Sequence, residues 1–118
     1  MPYQTEALAW LKKNKKKSAL AGNHFESTQE AVEAVEKLYA AGATRVDVWV
    51  KEDDPQFVDK YGGEYSEELI VCGEKGKTSR LVDVIKSLIP DNFVDEVTGL
   101  ISWTGATWDG SALTLWWD

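Results

Sequence analysis

The chain has 118 residues, one cysteine, and 20 acidic against 13 basic side chains, for a formal net charge of −7. That length supports one domain with its own core, and a lone cysteine excludes an internal disulfide. No apolar run approaches the roughly 20 residues that span a bilayer, and an acidic body repels phosphate backbones, which disfavours nucleic acid as a general partner.

Charge is unevenly spread. Lys12, Lys13, Lys15, Lys16 and Lys17 face only Glu6 within residues 1–17, which leaves a net acidic remainder. The lysines read as a solvated helix end, where cations also suit the C-terminal dipole. Thr5 is placed to cap a first helix running to about Lys13, or as far as Ala21, with Ala7, Leu8, Trp10 and Leu11 as its apolar members. Ser18 to Phe25 reads as a short strand or an extended entry, with Gly22 and Asn23 as a stop or bulge.

The second helix has the strongest signals. Ser27 and Glu30 have the spacing of a capping box, and Gly42 stands where a left-handed residue would end the helix. Its apolar stripe, Ala31, Val32, Val35, Leu38 and Tyr39, recurs fifty positions later as Leu81, Val82, Ile85, Leu88 and Ile89. Between the two helices, Arg45 to Val50 alternates. Val46, Val48 and Val50 share one face, and Arg45, Asp47 and Trp49 share the other.

Residues 51–68 form a long acidic connection broken by Pro55, Gly62 and Gly63. Leu69 to Cys72 reads as an interior strand covered on both faces. Thr78 or Ser79 caps the third helix, which Pro90 stops. Phe93, Val94 and Val97 suggest a weak strand. Leu100–Thr104 and Ala112–Trp117 suggest a hairpin through Asp109-Gly110. The expected architecture is α+β: a two-layer α/β sandwich of the split β-α-β, ferredoxin-like kind, with an extra N-terminal helix and a C-terminal β-hairpin. It forms a single domain over 1–118, with 1–17 as a peripheral helix and 18–118 as the α/β body.

Chemistry-bearing motifs are sparse. Gly73-Glu-Lys-Gly76-Lys77-Thr78 sits between a strand and a helix like a P-loop, but two residues separate its glycines where a phosphate loop needs four. A small anion at that helix start, near Lys75, Lys77 and Thr78, is the reading that survives. His24 is the only histidine and has no partner set for catalysis or zinc. With Asn23 it marks the best place for a small polar ligand. The acids of 52–64 lack the order of a calcium loop. No cofactor, metal or catalytic residue is expected, and the activity expected is non-enzymatic.

Six tryptophans are the strongest compositional signal. Trp49 lies opposite the valines, and Trp103 and Trp116 share its side in one hairpin register. Such indoles either pack within the fold, with Trp10 and the first helix laid over them, or form an interface. The leading expectation is a small cytoplasmic, microbial interaction or regulatory module. It would bind a protein partner or a second copy, as a homodimer, through a face bearing Trp10, Trp49, Trp103 and Trp116 or through the acidic 51–68 loop. A small-molecule or anion-binding domain around Asn23, His24, Lys75, Lys77 and Thr78 is the alternative. An acidic mimic of nucleic acid is a third.

Overall fold

A computed structural model describes residues 3–22, 24–52, 63–88, 92–95, 99–100 and 112–117. For 92–95, 99–100, Glu52 and Trp116 it describes the backbone alone. The elements run β1 (Tyr3–Glu6), α1 (Ala7–Lys13), α2 (Thr28–Ala40), β2 (Arg45–Glu52), β3 (Tyr65–Cys72), α3 (Ser79–Ser87), β4 (Asn92–Asp95), β5 (Gly99–Leu100) and β6 (Leu113–Trp116). The protein is α+β. Its strands form one antiparallel sheet in the order β1-β2-β3-β6-β4-β5. β6 lies between β3 and β4 and is antiparallel to both, so β3 and β4 run in the same direction on either side of it.

Most members of the expected apolar stripes are buried, with Tyr39 and Val82 half-buried at the margin. Val46, Val71 and Leu113 align across β2, β3 and β6, as do Val48, Leu69 and Leu115. All six are fully buried, together with Ala31, Val35 and Leu38 of α2 and Leu81 and Ile85 of α3. Period-two alternation in the strands and period-3.6 spacing in the helices therefore supply the two sides of one core. Ile89 and Pro90, from the expected end of α3, lie outside the described residues; the helix stops at Ser87, with Leu88 as its C-cap.

The caps of α2 follow the sequence with one displacement. Ser27 Oγ accepts from the Glu30 amide at 3.2 Å, but the Glu30 carboxylate accepts from Glu26 N, one residue upstream of the cap. At the other end Gly42 has φ +113, and the amides of Gly42 and Ala43 donate to the carbonyls of Tyr39 and Leu38. This double closure is a Schellman motif, and it needs a residue without a Cβ at Gly42.

The N-terminus differs from expectation. Thr5 does not cap α1; it pairs with Val48 in β1, a strand the sequence reading missed. Glu6 takes the cap, with one oxygen accepting from Leu8 N at 3.0 Å and the other from Ala9 N at 2.7 Å. α1 is thus held against the sheet by its own preceding strand, and Trp10 and Leu11 are buried at its core face. Glu64 clamps it further: its carboxylate accepts from Tyr3 Oη at 2.6 Å and from Trp10 Nε1 at 3.1 Å. One acid of the expected solvated loop therefore serves as an internal acceptor. The rest of that connection, 53–62, lies outside the described residues.

The expected strand over 18–25 shrinks to one parallel bridge, Leu20 to Ser66. Its reason is local. Ala21 adopts φ +43, and its carbonyl collects the amides of His24 and Phe25, so the chain turns away at once. Ser66 anchors this bridge with its backbone, through Ser66 N to Ala19 O at 2.9 Å and Ala21 N to Ser66 O at 2.8 Å. The pairing of β2 with β3 shifts register between Trp49 and Val50. There the fully buried Ser66 hydroxyl donates to Trp49 O and accepts from Glu68 N. A bulge leaves ladder groups unpaired, and the hydroxyl satisfies them.

At the C-terminal end, β5 pairs with β4, while β6 pairs with β3 and β4. Of the strand expected over 100–104 only Leu100 is described, and it pairs with Val94 of β4 rather than with β6; residues 101–104 lie outside the described residues. β6 gains more burial between two strands than beside one. Asp109-Gly110 lies outside the described residues.

Two predictions follow from these contacts. Ser66→Ala leaves buried ladder groups without a partner, and urea unfolding should show a loss of roughly 1–3 kcal/mol; an unchanged midpoint would contradict the bulge role. Glu6 and Tyr39 make the second. Burial acts to raise the Glu6 carboxyl, but the Tyr39 hydroxyl (2.6 Å), the Ala9 and Leu8 amides and nearby Arg45 outweigh it and hold it below its ordinary 4.5. Tyr39 is pushed above its ordinary 10.0, first by burial and then by the hydrogen bond to Glu6. The Glu6 contribution is therefore present above pH 4.5 and is lost as pH falls through the lowered folded value. The Tyr39 contribution is present below pH 10 and is lost as pH rises through the raised one. Glu6→Gln should flatten the acid limb of the stability profile, and Tyr39→Phe the alkaline limb.

Candidate functional site

Among the described residues, the sheet has one face under the helices and one without them. By register the second face carries Trp49 opposite Glu68, Asp47 opposite Ile70, and Gln4 opposite Trp49. Trp49 is 37% exposed, and it is the exposed large hydrophobic residue among those described. Beside it Asp47 is buried and fully used: Arg45 Nε donates at 2.6 Å and Gln4 Nε2 at 2.7 Å. The Arg45 guanidinium is in turn raised above its ordinary range by that hydrogen bond to Asp47. Glu68 is half-buried, and its carboxylate makes no ion pair among the described residues. An indole next to an unneutralised carboxylate is a pairing that accepts a flat cation, by stacking and by charge together.

The other tryptophans divide differently from expectation. Trp10 is 1% exposed and belongs to the interior, so it presents no surface. Trp116 occupies the register position opposite Glu68 on β6. Trp103 and Trp108 lie outside the described residues. Trp117, which the sequence reading passed over, is 1% exposed and central to a second feature.

That feature is an aromatic cluster on the helix side. The rings of His24 and Trp117 stack with centroids 5.6 Å apart, and Phe25 meets both edge-on, at 4.6 Å from His24 and 5.4 Å from Trp117. Trp117 Nε1 donates to Leu88 O at 3.1 Å, which ties the cluster to the end of α3. A cavity of about 300 Å³ opens here, lined by His24, Phe25, Leu88 and four α2 residues, Glu30, Glu33, Ala34 and Lys37. His24 was expected to mark a ligand position, and a cavity does reach it; Asn23 lies outside the described residues. A legible signal was available for Trp117. Two adjacent strand residues point to opposite faces, so a Trp-Trp pair cannot lie wholly on the open side.

The turn expected to complete this site lies elsewhere. Glu74 O accepts from Lys77 N at 2.9 Å, Gly76 has φ +81, and Lys77 Nζ sits 3.5 Å from Glu74 Oε1. Lys75 is exposed, and Thr78 begins α3 without a side-chain capping bond. A Cβ built on Gly42 would stand 3.7 Å from Lys77 O, so the turn abuts the C-terminal end of α2. His24 belongs to the N-terminal end. Thirteen helical residues separate the two by about 20 Å, and one small ligand does not bridge them.

Cys72 is a half-buried thiol at the end of β3, less enclosed than the interior strand position expected for it. Among the described residues no group of three or more His, Cys, Asp and Glu side chains could hold a metal ion. No helix among them is long and apolar enough to cross a membrane. Comparison with protein-family models, with curated proteins and with solved structures gives no match.

One prediction concerns the cluster. Trp117→Phe keeps an aromatic ring but orphans the Leu88 carbonyl. It should lower stability by roughly 1–3 kcal/mol and weaken the near-ultraviolet circular dichroism of the stack. A neutral result in urea unfolding would remove the tie between β6 and α3.

Proposed function

We propose that the protein is a non-enzymatic interaction module that presents the helix-free face of its sheet to a protein partner. The observation that carries this reading is Trp49, a large indole left exposed on a face whose other described positions are polar or packed. Tryptophan at the centre of a polar surround is the usual anchor of a protein interface. The adjacent Glu68 and the acidic balance of the chain favour a partner that offers arginine or lysine. A second copy qualifies as well, since Lys12, Lys13, Lys15 and Lys17 are exposed on an otherwise acidic molecule. In the same reading the crossing of β3 through α3 to β4, with β6 between, is the split β-α-β element of a ferredoxin-like layout, and the compartment is the cytoplasm.

A second reading, a small-molecule site, is favoured by the cavity beside His24.

The test of the first reading separates the face from the fold. Trp49→Ser should leave the urea midpoint within about 0.5 kcal/mol, as surface changes do. It should abolish self-association measured by light scattering, or binding to an arginine-bearing peptide measured by Trp fluorescence. A wild-type protein that stays monomeric, ignores such peptides and shields Trp49 from an aqueous quencher would end the proposal.

A further inference from the structure

The cavity beside His24 gathers charged side chains that make no ion pair among the described residues. Glu30, Glu33, Ala34 and Lys37 follow one another at helical spacing, so they line a single face of α2. This face flanks the core stripe of Ala31, Val35 and Leu38. The Glu30 carboxylate already accepts from the Glu26 amide. Glu33 and Lys37 stand one turn apart, yet among the described residues neither side chain makes an ion pair or a hydrogen bond. Phe25, Ala34 and Leu88 supply apolar lining, and His24 adds an imidazole held in place by its contacts with Phe25 and Trp117.

An anion alone would meet Lys37 but also two glutamates. A cation alone would meet the glutamates but also the ammonium of Lys37. A ligand carrying both charges a few ångströms apart meets Glu33 and Lys37 together, and an ion pair formed between two such exposed side chains would compete only weakly with it. About 300 Å³ is the low end of the range for ligand pockets, which suits a molecule of roughly amino-acid size. Resting on the small-molecule reading above, we propose that the cavity binds a free α-amino acid with an apolar or aromatic side chain. Its ammonium group meets Glu33 and its carboxylate meets Lys37. Its side chain lies along Phe25, Ala34 and Leu88 beside His24.

The experiment titrates the full chain with three probes that share one ring: L-phenylalanine, phenethylamine and 3-phenylpropionate. The readouts are the His24 imidazole and the Ala34 and Lys37 amide resonances. L-Phenylalanine should saturate these shifts with a dissociation constant on the order of 1 mM, as a dozen-atom ligand in an open cavity does. Each singly charged analogue should bind at least about tenfold more weakly. Lys37→Gln and Glu33→Gln, both at solvent-accessible helix positions, should each lose a similar factor for L-phenylalanine while keeping the wild-type melting curve. If the amine or the acid binds as tightly as the amino acid, or if both variants keep full affinity, the zwitterion assignment is overturned and the small-molecule reading stands. If none of the three probes shifts any of these resonances at about 20 mM, far above that constant, the amino-acid assignment falls; the small-molecule reading falls with it only if phosphates, nucleotides and carboxylates also leave the melting temperature unmoved.

Discussion

Everything else in this fold depends on which face of the β2–β3–β6 strands is turned to the helices. Val46, Val71 and Leu113 form one lane across the sheet and Val48, Leu69 and Leu115 a second, all of them without solvent exposure. A one-residue slip in either pairing would carry one strand's whole core set to the opposite side, bringing Asp47 and Trp49, or Glu68, under α2 in place of valine and leucine. The cost of burying those polar groups locks the register. It also decides where Trp49 goes, because a residue between two core valines has only the other face to occupy.

Holding that register needs a correction within the strands, and Ser66 supplies it. β2 and β3 cannot run in step over their whole length, since their pairing shifts on both sides of Val50. The Ser66 hydroxyl closes the gap in the ladder, while its backbone turns to the opposite side to take Ala19 and Ala21. One buried serine thus couples the sheet to the segment that leads into His24 and Phe25. Thr28 completes the tie, because its hydroxyl donates to Lys16 O at 2.6 Å and accepts from Ala19 N at 2.9 Å. The aromatic cavity inherits its position from these bonds rather than from any property of the histidine itself.

The periodic parts of the molecule were legible in the sequence, and the parts built from long-range polar contacts were not. Helix α2, its Ser27 cap, its Gly42 stop and the alternation of β2 are local patterns, and each is present. β1 was not legible, because Tyr3–Glu6 carries no alternation of its own; it is a strand only by pairing with residues 47–50. Glu6 as a cap was hidden for a similar reason. Its second role, accepting from Tyr39, joins residues 33 positions apart. His24 stood out as the lone histidine, yet nothing nearby in sequence announced that Trp117 would stack on it. The Lys75–Thr78 turn and His24 each precede a helix start, a local pattern that does not say how the two helices are oriented. α2 and α3 instead pack so that the start of α3 meets the end of α2 and the end of α3 closes the cavity at the start of α2.

The two surfaces that result lie on opposite faces of the sheet. Trp49 and Glu68 face away from the helices, whereas His24, Glu33 and Lys37 gather on the helix side, with the fully buried valine lanes between. A close-packed core has low compressibility and transmits strain, but the register here is fixed by the lanes themselves. Communication between an occupied cavity and the Trp49 face would therefore have to pass through a discrete element contacted by both sides. Ser66 is the residue so placed, one hydroxyl bonded to the carbonyl of Trp49 and one backbone bonded to the segment that carries His24. A ligand that moved His24 and Phe25 would pull first on Ala21, whose carbonyl holds both their amides, and then on Ser66. By that route the two sites share a mechanical link among the described residues even though they share no side chain.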